Sequence, residues 1–217
     1  MTEVSRVDDE LPDFLQPEPF RAATRRPRRQ PVDRPPGEYG LWIFIFGDLT
    51  LFAAFFVVFT WEAGHDRALF GDSARRLLVP LGAVNTLVLL LSSLLVVAAV
   101  RAYAAGAAAV ASRASAGAIG CAAVFVSIKV TEYGHAVGAG STPGTNLFFT
   151  FYFVLTGIHL LHVVVGTILL GAVRRRARAG VPWDAARRLV EGSGVYWHMV
   201  DLLWIILFSL LYLVGAA

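Results

Sequence analysis

An all-α, polytopic bundle of five membrane-spanning helices is the fold this sequence predicts, and three observations carry the prediction. Of the 217 residues 56% are apolar and only 16% charged, too hydrophobic a balance for an ordinary soluble domain. Five stretches, each long enough to cross ~30 Å of hydrocarbon at ~1.5 Å per residue, run with almost no charge. The one cysteine, Cys121, lies in an apolar stretch without a partner, which excludes disulfides within the chain and any cysteine metal cage.

Residues 1–38 stand apart. They mix seven arginines with eight acids, are rich in proline (Pro12, Pro17, Pro27, Pro31, Pro35 and Pro36 among them) and hold few large apolar residues after Phe20. They are expected to form a disordered cytoplasmic tail. They do not read as a cleavable signal peptide, which needs an apolar core, nor as an organelle transit peptide, which is poor in acids. The run Arg25, Arg26, Arg28, Arg29 can reach anionic lipid head groups, although the interleaved acids favour a plain solvated tail.

Residues 39–217 are the membrane domain. The first span, about 39–61 (YGLWIFIFGDLTLFAAFFVVFTW), carries Asp48 as its only charge. A loop with Glu62, His65, Asp66, Arg67, Asp72, Arg75 and Arg76 leads to the second, about 77–100, whose polar points are Asn85, Ser92 and Ser93. The third, about 114–135, is weaker and is interrupted near its end by Lys129 and Glu132. Gly138, Gly140, Pro143 and Gly144 break the chain before the fourth. That fourth span, about 146–173 (NLFFTFYFVLTGIHLLHVVVGTILLGAV), is the stretch around which the chain is organised. It is uncharged, holds His159 and His162 at its middle and stops abruptly at Arg174, Arg175 and Arg176. The fifth, about 192–214, holds His198 and Asp201, and no internal repeat is found.

Five spans put the two termini on opposite sides. Fifteen of the nineteen basic residues fall in the tail, the 101–115 loop and the 174–193 loop, against three in the 61–76 loop. The positive-inside rule therefore predicts a cytoplasmic N-terminus and an outer C-terminus. In a membrane protein this distribution, rather than the formal net charge of +3, carries the meaning, and no nucleic-acid partner is expected.

Ionisable groups within a span each cost roughly 2.5–3.5 kcal/mol to insert and should face a partner or water. Lys129 and Glu132, three apart on one helical face, can pair with each other, with a proton-handling role as the other reading. Asp48 has no opposite charge in its own span and must find a donor on another helix or keep its proton. His159 and His162 share a face and should look toward protein rather than lipid. His198 and Asp201, again three apart, suit a polar clamp between helices or a proton relay. Trp42, Trp61, Trp197 and Trp204 are assigned to lipid or interface contact, with packing as the alternative for the last two, which are seven apart on one face.

Could the intramembrane histidines hold a metal? His159, His162 and His198 offer three nitrogens, and a bundle core can host such a site. Neither an axial pair per haem nor a copper set with cysteine or methionine completes them, so no metal and no cofactor is expected in this chain. A nucleophile with an oriented base and a glycine-rich phosphate loop are both missing from the sequence, so no catalytic residue is expected either.

Several of these segments are similar to a known family. FYFVLTGIHLLHVVVG at 151–166, EGSGVYWHMVDLLWIILF at 191–208 and GLWIFIFGDLTLFAAFF at 40–56 resemble subunit III of the haem-copper oxidases. VNTLVLLLSS at 84–93 and KVTEY at 129–133 fit the same family in the same order. The resemblance runs over residues 39–215 and leaves the tail unmatched. It implies a cofactor-free accessory subunit bound to the catalytic subunit I of a respiratory terminal oxidase in a bacterial plasma membrane, with haem and copper in that partner. It also implies bound phospholipid and support of proton uptake. Asp48 stands where the family usually has a glutamate, and Glu132, His159, His162, Glu191, Trp197, His198 and Asp201 match its polar core. Many members carry further spans ahead of these five, so a lipid cleft built with those is not implied here. LTGIHLLHV and YWHMVDLLWI look closest to the short branch associated with nitric oxide reductases, which keeps a nitric oxide reductase partner open beside a cytochrome c oxidase. A small transporter or proton channel is the alternative of a different class, motivated by the ionisable residues within the spans.

Overall fold

The structure is a computed structural model and describes residues 39–213. The tail expected at 1–38 lies outside the described residues. Six helices occur among the described residues: α1 (Tyr39–His65), α2 (Arg67–Ala74), α3 (Val79–Ala104), α4 (Ala108–Gly138), α5 (Leu147–Arg178) and α6 (Trp183–Tyr212). All but α2 are long and apolar enough to cross a membrane. The class and the number of spans agree with the sequence reading.

The helices outrun the predicted spans. α4 begins at Ala108 rather than near 114, α5 continues through the arginines to Arg178, and α6 starts at Trp183 rather than near 192. Hydropathy reports the length of the apolar segment, whereas a helix continues into the head-group layer wherever its backbone bonds stay satisfied and arginines can extend to water. The loop expected after the first span is mostly helical as well. α1 runs on to His65, and Asp66 caps α2 by accepting from the Leu69 amide at 3.0 Å.

Three of the turns share one device. α3, α4 and α5 each end on a glycine at positive φ, Gly106 (76°), Gly140 (79°) and Gly180 (67°). The next amide then reaches back to close the helix end: Ala107 to the Ala102 carbonyl, Ser141 to Ala136 and Val181 to Arg176. This is the Schellman arrangement, and it reverses the chain within a few residues. α3, α4, α5 and α6 consequently run antiparallel to their chain neighbours. α3 packs on α4 and α6, and α5 packs on α4 and α6.

α6 is the most enclosed helix, ahead of the fourth span that dominates the sequence. Gly192, Ser193 and Gly194 keep its first membrane turns thin, and Trp197, Val200, Trp204, Leu207 and Leu211 fill the space between α3 and α5. α1 is the least enclosed. It buries only Ile45, Phe52 and Phe59 of its 27 residues; Phe52 meets His162 of α5, and Phe59 meets Phe70 of α2 and Phe148 of α5. At the α2 end Phe59, Phe70 and Phe148 close the bundle edge to face, with ring centroids 5.3 and 5.7 Å apart for Phe59–Phe70 and Phe70–Phe148.

Candidate functional site

The interior is apolar with three polar islands. The first joins α1 to α5. His162 Nε2 lies 3.0 Å from Asp48 Oδ1, and the two side chains are 12% and 8% exposed. His162 Nδ1 is 2.8 Å from the Ile158 carbonyl. Phe52 meets the imidazole edge-on at 5.7 Å and Tyr196 stacks on it at 6.4 Å. The donor on another helix that Asp48 required is thus His162, one residue of the pair the fourth span placed on one face.

The second island, near the α2 end, surrounds Lys129. Its ammonium has three hydrogens, and three acceptors take them: Glu132 Oε2 at 2.8 Å, Tyr212 Oη at 2.9 Å and Tyr152 Oη at 3.2 Å. The Tyr212 hydroxyl donates its own hydrogen bond to Glu132 Oε2 at 3.0 Å. The rings of Tyr133, Tyr152, Trp204 and Tyr212 lie 4.9–5.5 Å from the charge and form a cation–π box. Beside it Thr156 donates to the Tyr152 carbonyl at 2.5 Å, so Tyr133 is the donor in its 2.6 Å contact with Thr156. The cluster ties α4, α5 and α6 together around a charge and its countercharge, both buried.

The third island lies along α6. His198 Nδ1 is 2.8 Å from Ser93 Oγ on α3 and 3.9 Å from Asp201, so its close partner is the serine on another helix rather than the acid on its own. Trp204 Nε1 donates to Thr86 Oγ1 at 3.0 Å. Asp201 is buried with neither carboxylate oxygen hydrogen-bonded. His159 is fully buried between Phe125 and Trp204, centroids 5.6 and 5.3 Å away, and neither ring nitrogen has a protein partner. Glu191 sits outside these islands, held by Arg187 at 2.9 Å one turn before it on α6.

The tryptophans divide. Trp61 is 67% exposed, at the end of α1. Trp197 and Trp204 are fully buried, which corrects their assignment to lipid or interface: they lie on the face of α6 that α3, α4 and α5 enclose. Gly166 makes room for the Trp197 indole. Tyr152, Tyr196, Tyr212, Ser93 and Thr86 complete the islands and are absent from the sequence-based site. Tyr152 and Thr156 do share a helical face with His159, at spacings of seven and three, which is the signal that points to them.

The three histidines weighed as ligands, and not expected to hold a metal, do not converge: His162 meets Asp48, His198 meets Ser93 and His159 stands between rings. Among the described residues no group of three or more His, Cys, Asp or Glu is placed to hold a metal ion. Apart from Lys129 with Glu132, which pair within α4, the close polar contacts in the islands join helix to helix or helix to its own backbone. Fold and interior together define a multi-pass helical membrane protein with polar contacts between its helices.

Comparison with known proteins gives that class its family. The sequence pattern of cytochrome c oxidase subunit III matches residues 32–216, and the chain belongs to that family. The chain is 40% identical over 92 residues to cytochrome c oxidase subunit 3 of Thermostichus vulcanus, a stretch covering 42% of this chain and 44% of that protein. It is 28% identical over 180 residues to cytochrome bo(3) ubiquinol oxidase subunit 3 of Pseudomonas aeruginosa, covering 82% and 85% of the two chains. With quinol oxidase subunit 3 of Bacillus spizizenii it shares 33% identity over 92 residues, 42% of this chain and 45% of that one. The matched stretch thus spans less than half of the Thermostichus and Bacillus proteins and most of the Pseudomonas one.

Proposed function

We propose that the chain is the non-catalytic, cofactor-free subunit III of a respiratory haem-copper terminal oxidase of the cytochrome c oxidase type. It binds subunit I, which carries the haem and copper, in a bacterial plasma membrane, with its N-terminus in the cytoplasm and its C-terminus outside. The observation that carries this reading is the family match through residues 32–216, from ahead of the first span into the last. The bundle interior supports it physically, because its polar groups are used to join helices. Stabilisation of subunit I, support of proton uptake and retention of phospholipid are the roles assigned to it.

The motif LTGIHLLHV favours a second reading, the subunit III-like partner of a nitric oxide reductase. One experiment addresses both. Affinity-tagged chain is purified from its native membrane under mild detergent, and the copurified subunits are identified and their absorption spectrum recorded. The expected result is stoichiometric subunit I with haem absorbance in the complex and none in the chain isolated alone. The haem types distinguish a cytochrome c or quinol oxidase from a nitric oxide reductase. A chain that never associates with a haem-copper subunit I, or that carries haem or copper by itself, overturns the reading.

A further inference from the structure

Exposed hydroxyls along the spans are satisfied by their own helices. Thr50, Thr60, Ser127, Thr131 and Ser209 each donate to the carbonyl four residues earlier. Lipid chains can cover such groups without orphaning a donor. Within the apolar stretches Asp48, Lys129, Glu132, His159, His162 and Asp201 are turned inward, none more than 12% exposed. His198 is the exception, with 41% of its side chain exposed. It stands midway along α6, which runs Trp183–Tyr212. Its Nδ1 meets Ser93 Oγ at 2.8 Å, whereas Nε2 reaches the outer surface and has no hydrogen-bond partner among the described residues. A ring nitrogen is either a donor or an acceptor, and hydrocarbon answers neither. The surroundings are apolar: Leu202 and Ile205, four and seven residues on, share that face of α6, and Leu90 and Leu94 are exposed beside Ser93 on α3.

We infer that the face of α3 and α6 around His198 is a docking surface for a transmembrane helix of a different subunit, which presents a hydroxyl or a carboxamide to Nε2. The inference rests on the reading of the chain as one subunit of a membrane complex. The four apolar side chains give such a helix its packing surface, and the nitrogen fixes its height. A hydroxyl or carboxamide both donates and accepts, so it meets Nε2 whichever way the contact with Ser93 is polarised. A charged side chain would bring an unbalanced charge to that depth. A second copy of this chain fits poorly. Its matching face has no free hydroxyl, since Ser93 is engaged with His198, and Thr86 accepts from Trp204 while donating to the Gly82 carbonyl. A two-fold axis through the patch would set Nε2 against Nε2, and equivalent nitrogens in one tautomer are both donors or both acceptors.

Site-directed photocross-linking of the full chain in its native membrane tests the surface. A benzophenone amino acid is placed at Leu94 or Leu202, and for comparison at Ile43 on α1 or Ile168 on α5, all of them exposed. Leu94 and Leu202 should both yield an adduct with one polypeptide other than this chain, identified by mass spectrometry. Adducts with a second copy, or no protein adduct at these two positions in a chain that still copurifies with other subunits, overturn the docking surface and leave the subunit reading standing. A chain that copurifies with no other polypeptide overturns both. His198→Leu should lower the partner retained through detergent washing roughly 3- to 15-fold, the strength of one interhelical hydrogen bond in a membrane, and His198→Gln should keep most of it. Ser93→Ala removes only the contact within the chain and should leave retention unchanged. Equal loss of the partner in Ser93→Ala and His198→Leu would show that His198 serves the chain's own fold, and the proposal would fall.

Discussion

Gly166 to alanine is the sharpest probe of how α6 seats against α5. A methyl at that position would stand 2.6 Å from Cε3 and 2.8 Å from Cζ3 of Trp197, and 3.4 Å from Cε1 of Tyr196. Carbon atoms rest at ~3.5–4.0 Å, so the indole would have to withdraw by roughly 1 Å. Trp197 is fully buried in an interior packed as densely as an organic crystal, and a withdrawal of that size displaces its neighbours. The cost of such overpacking is ~1–3 kcal/mol, offset by the ~0.5–1 kcal/mol that alanine gains over glycine inside a helix. A net loss between about 0 and 2.5 kcal/mol follows, and the 2.6 Å approach, the closest at any described glycine, puts it in the upper half of that range. Gly157 on the same helix is the internal control, since nothing lies within 4 Å of the methyl it would receive. Thermal unfolding of the purified full chain in detergent, followed by tryptophan fluorescence, should put Gly166→Ala below the wild type and Gly157→Ala level with it or above. Combining Gly166→Ala with Trp197→Leu should cost less than the two changes summed, because removing the indole removes the collision. Equal midpoints for Gly166→Ala and wild type, or equal losses at the two glycines, would refute the packing described for this pair.

Breaking one side of the buried ion pair has a different signature from removing both. Lys129→Met leaves Glu132 charged with only Tyr212 to hold it and should lower stability by ~3–5 kcal/mol, whereas Lys129→Met with Glu132→Leu should recover much of that loss, as measured by the same unfolding. His159→Phe keeps the ring between Phe125 and Trp204 and removes two unpartnered nitrogens, so its midpoint should match or exceed wild type. His159→Ala should instead lose ~3 kcal/mol or more to the cavity, and a tolerated alanine would show that the site is loosely packed. Asp48→Leu should free α1 while α3 to α6 stay packed: hydrogen–deuterium exchange should quicken along residues 40–60 and stay unchanged along α5 and α6, and a uniform rise would contradict the islands' division of labour.

Hydropathy made the five spans legible because the bilayer imposes one long apolar run per crossing. The ends of α4, α5 and α6 were not, because a helix that has left the hydrocarbon obeys capping and arginine chemistry rather than apolar length. Within the site, legibility followed sequence distance. Lys129 and Glu132 are three apart, and their 2.8 Å contact is the one their spacing suggests. His198 and Asp201 have the same spacing, yet Ser93 from α3 lies closer to the ring nitrogen, at 2.8 Å against 3.9 Å for the acid on the same helix. The partnership of Asp48 with His162 and the convergence of Tyr152 and Tyr212 on Lys129 depend on how three turns fold the chain back, and no local pattern encodes them.

The way α1 is attached explains why one polar pair matters there more than elsewhere. Ile45, Phe52 and Phe59 recur every seven residues, the repeat of a helix crossing its neighbours along a single left-handed seam. Lipid chains are as apolar as these side chains, so the seam gains little from burial alone and relies on packing and on polar contact. Between the knobs Asp48 is the only ionisable group from Gly40 to Trp61, and it meets the one imidazole that faces α1. A slip of one helical turn, ~5.4 Å, would leave both groups unpaired inside the bilayer, so their contact sets the height of α1 against α5 in a way that phenylalanines in phenylalanine-sized gaps do not. Register is therefore held by one polar contact between α1 and α5, while the rest of the α1 circumference, from Ile43 to Trp61, stays turned outward.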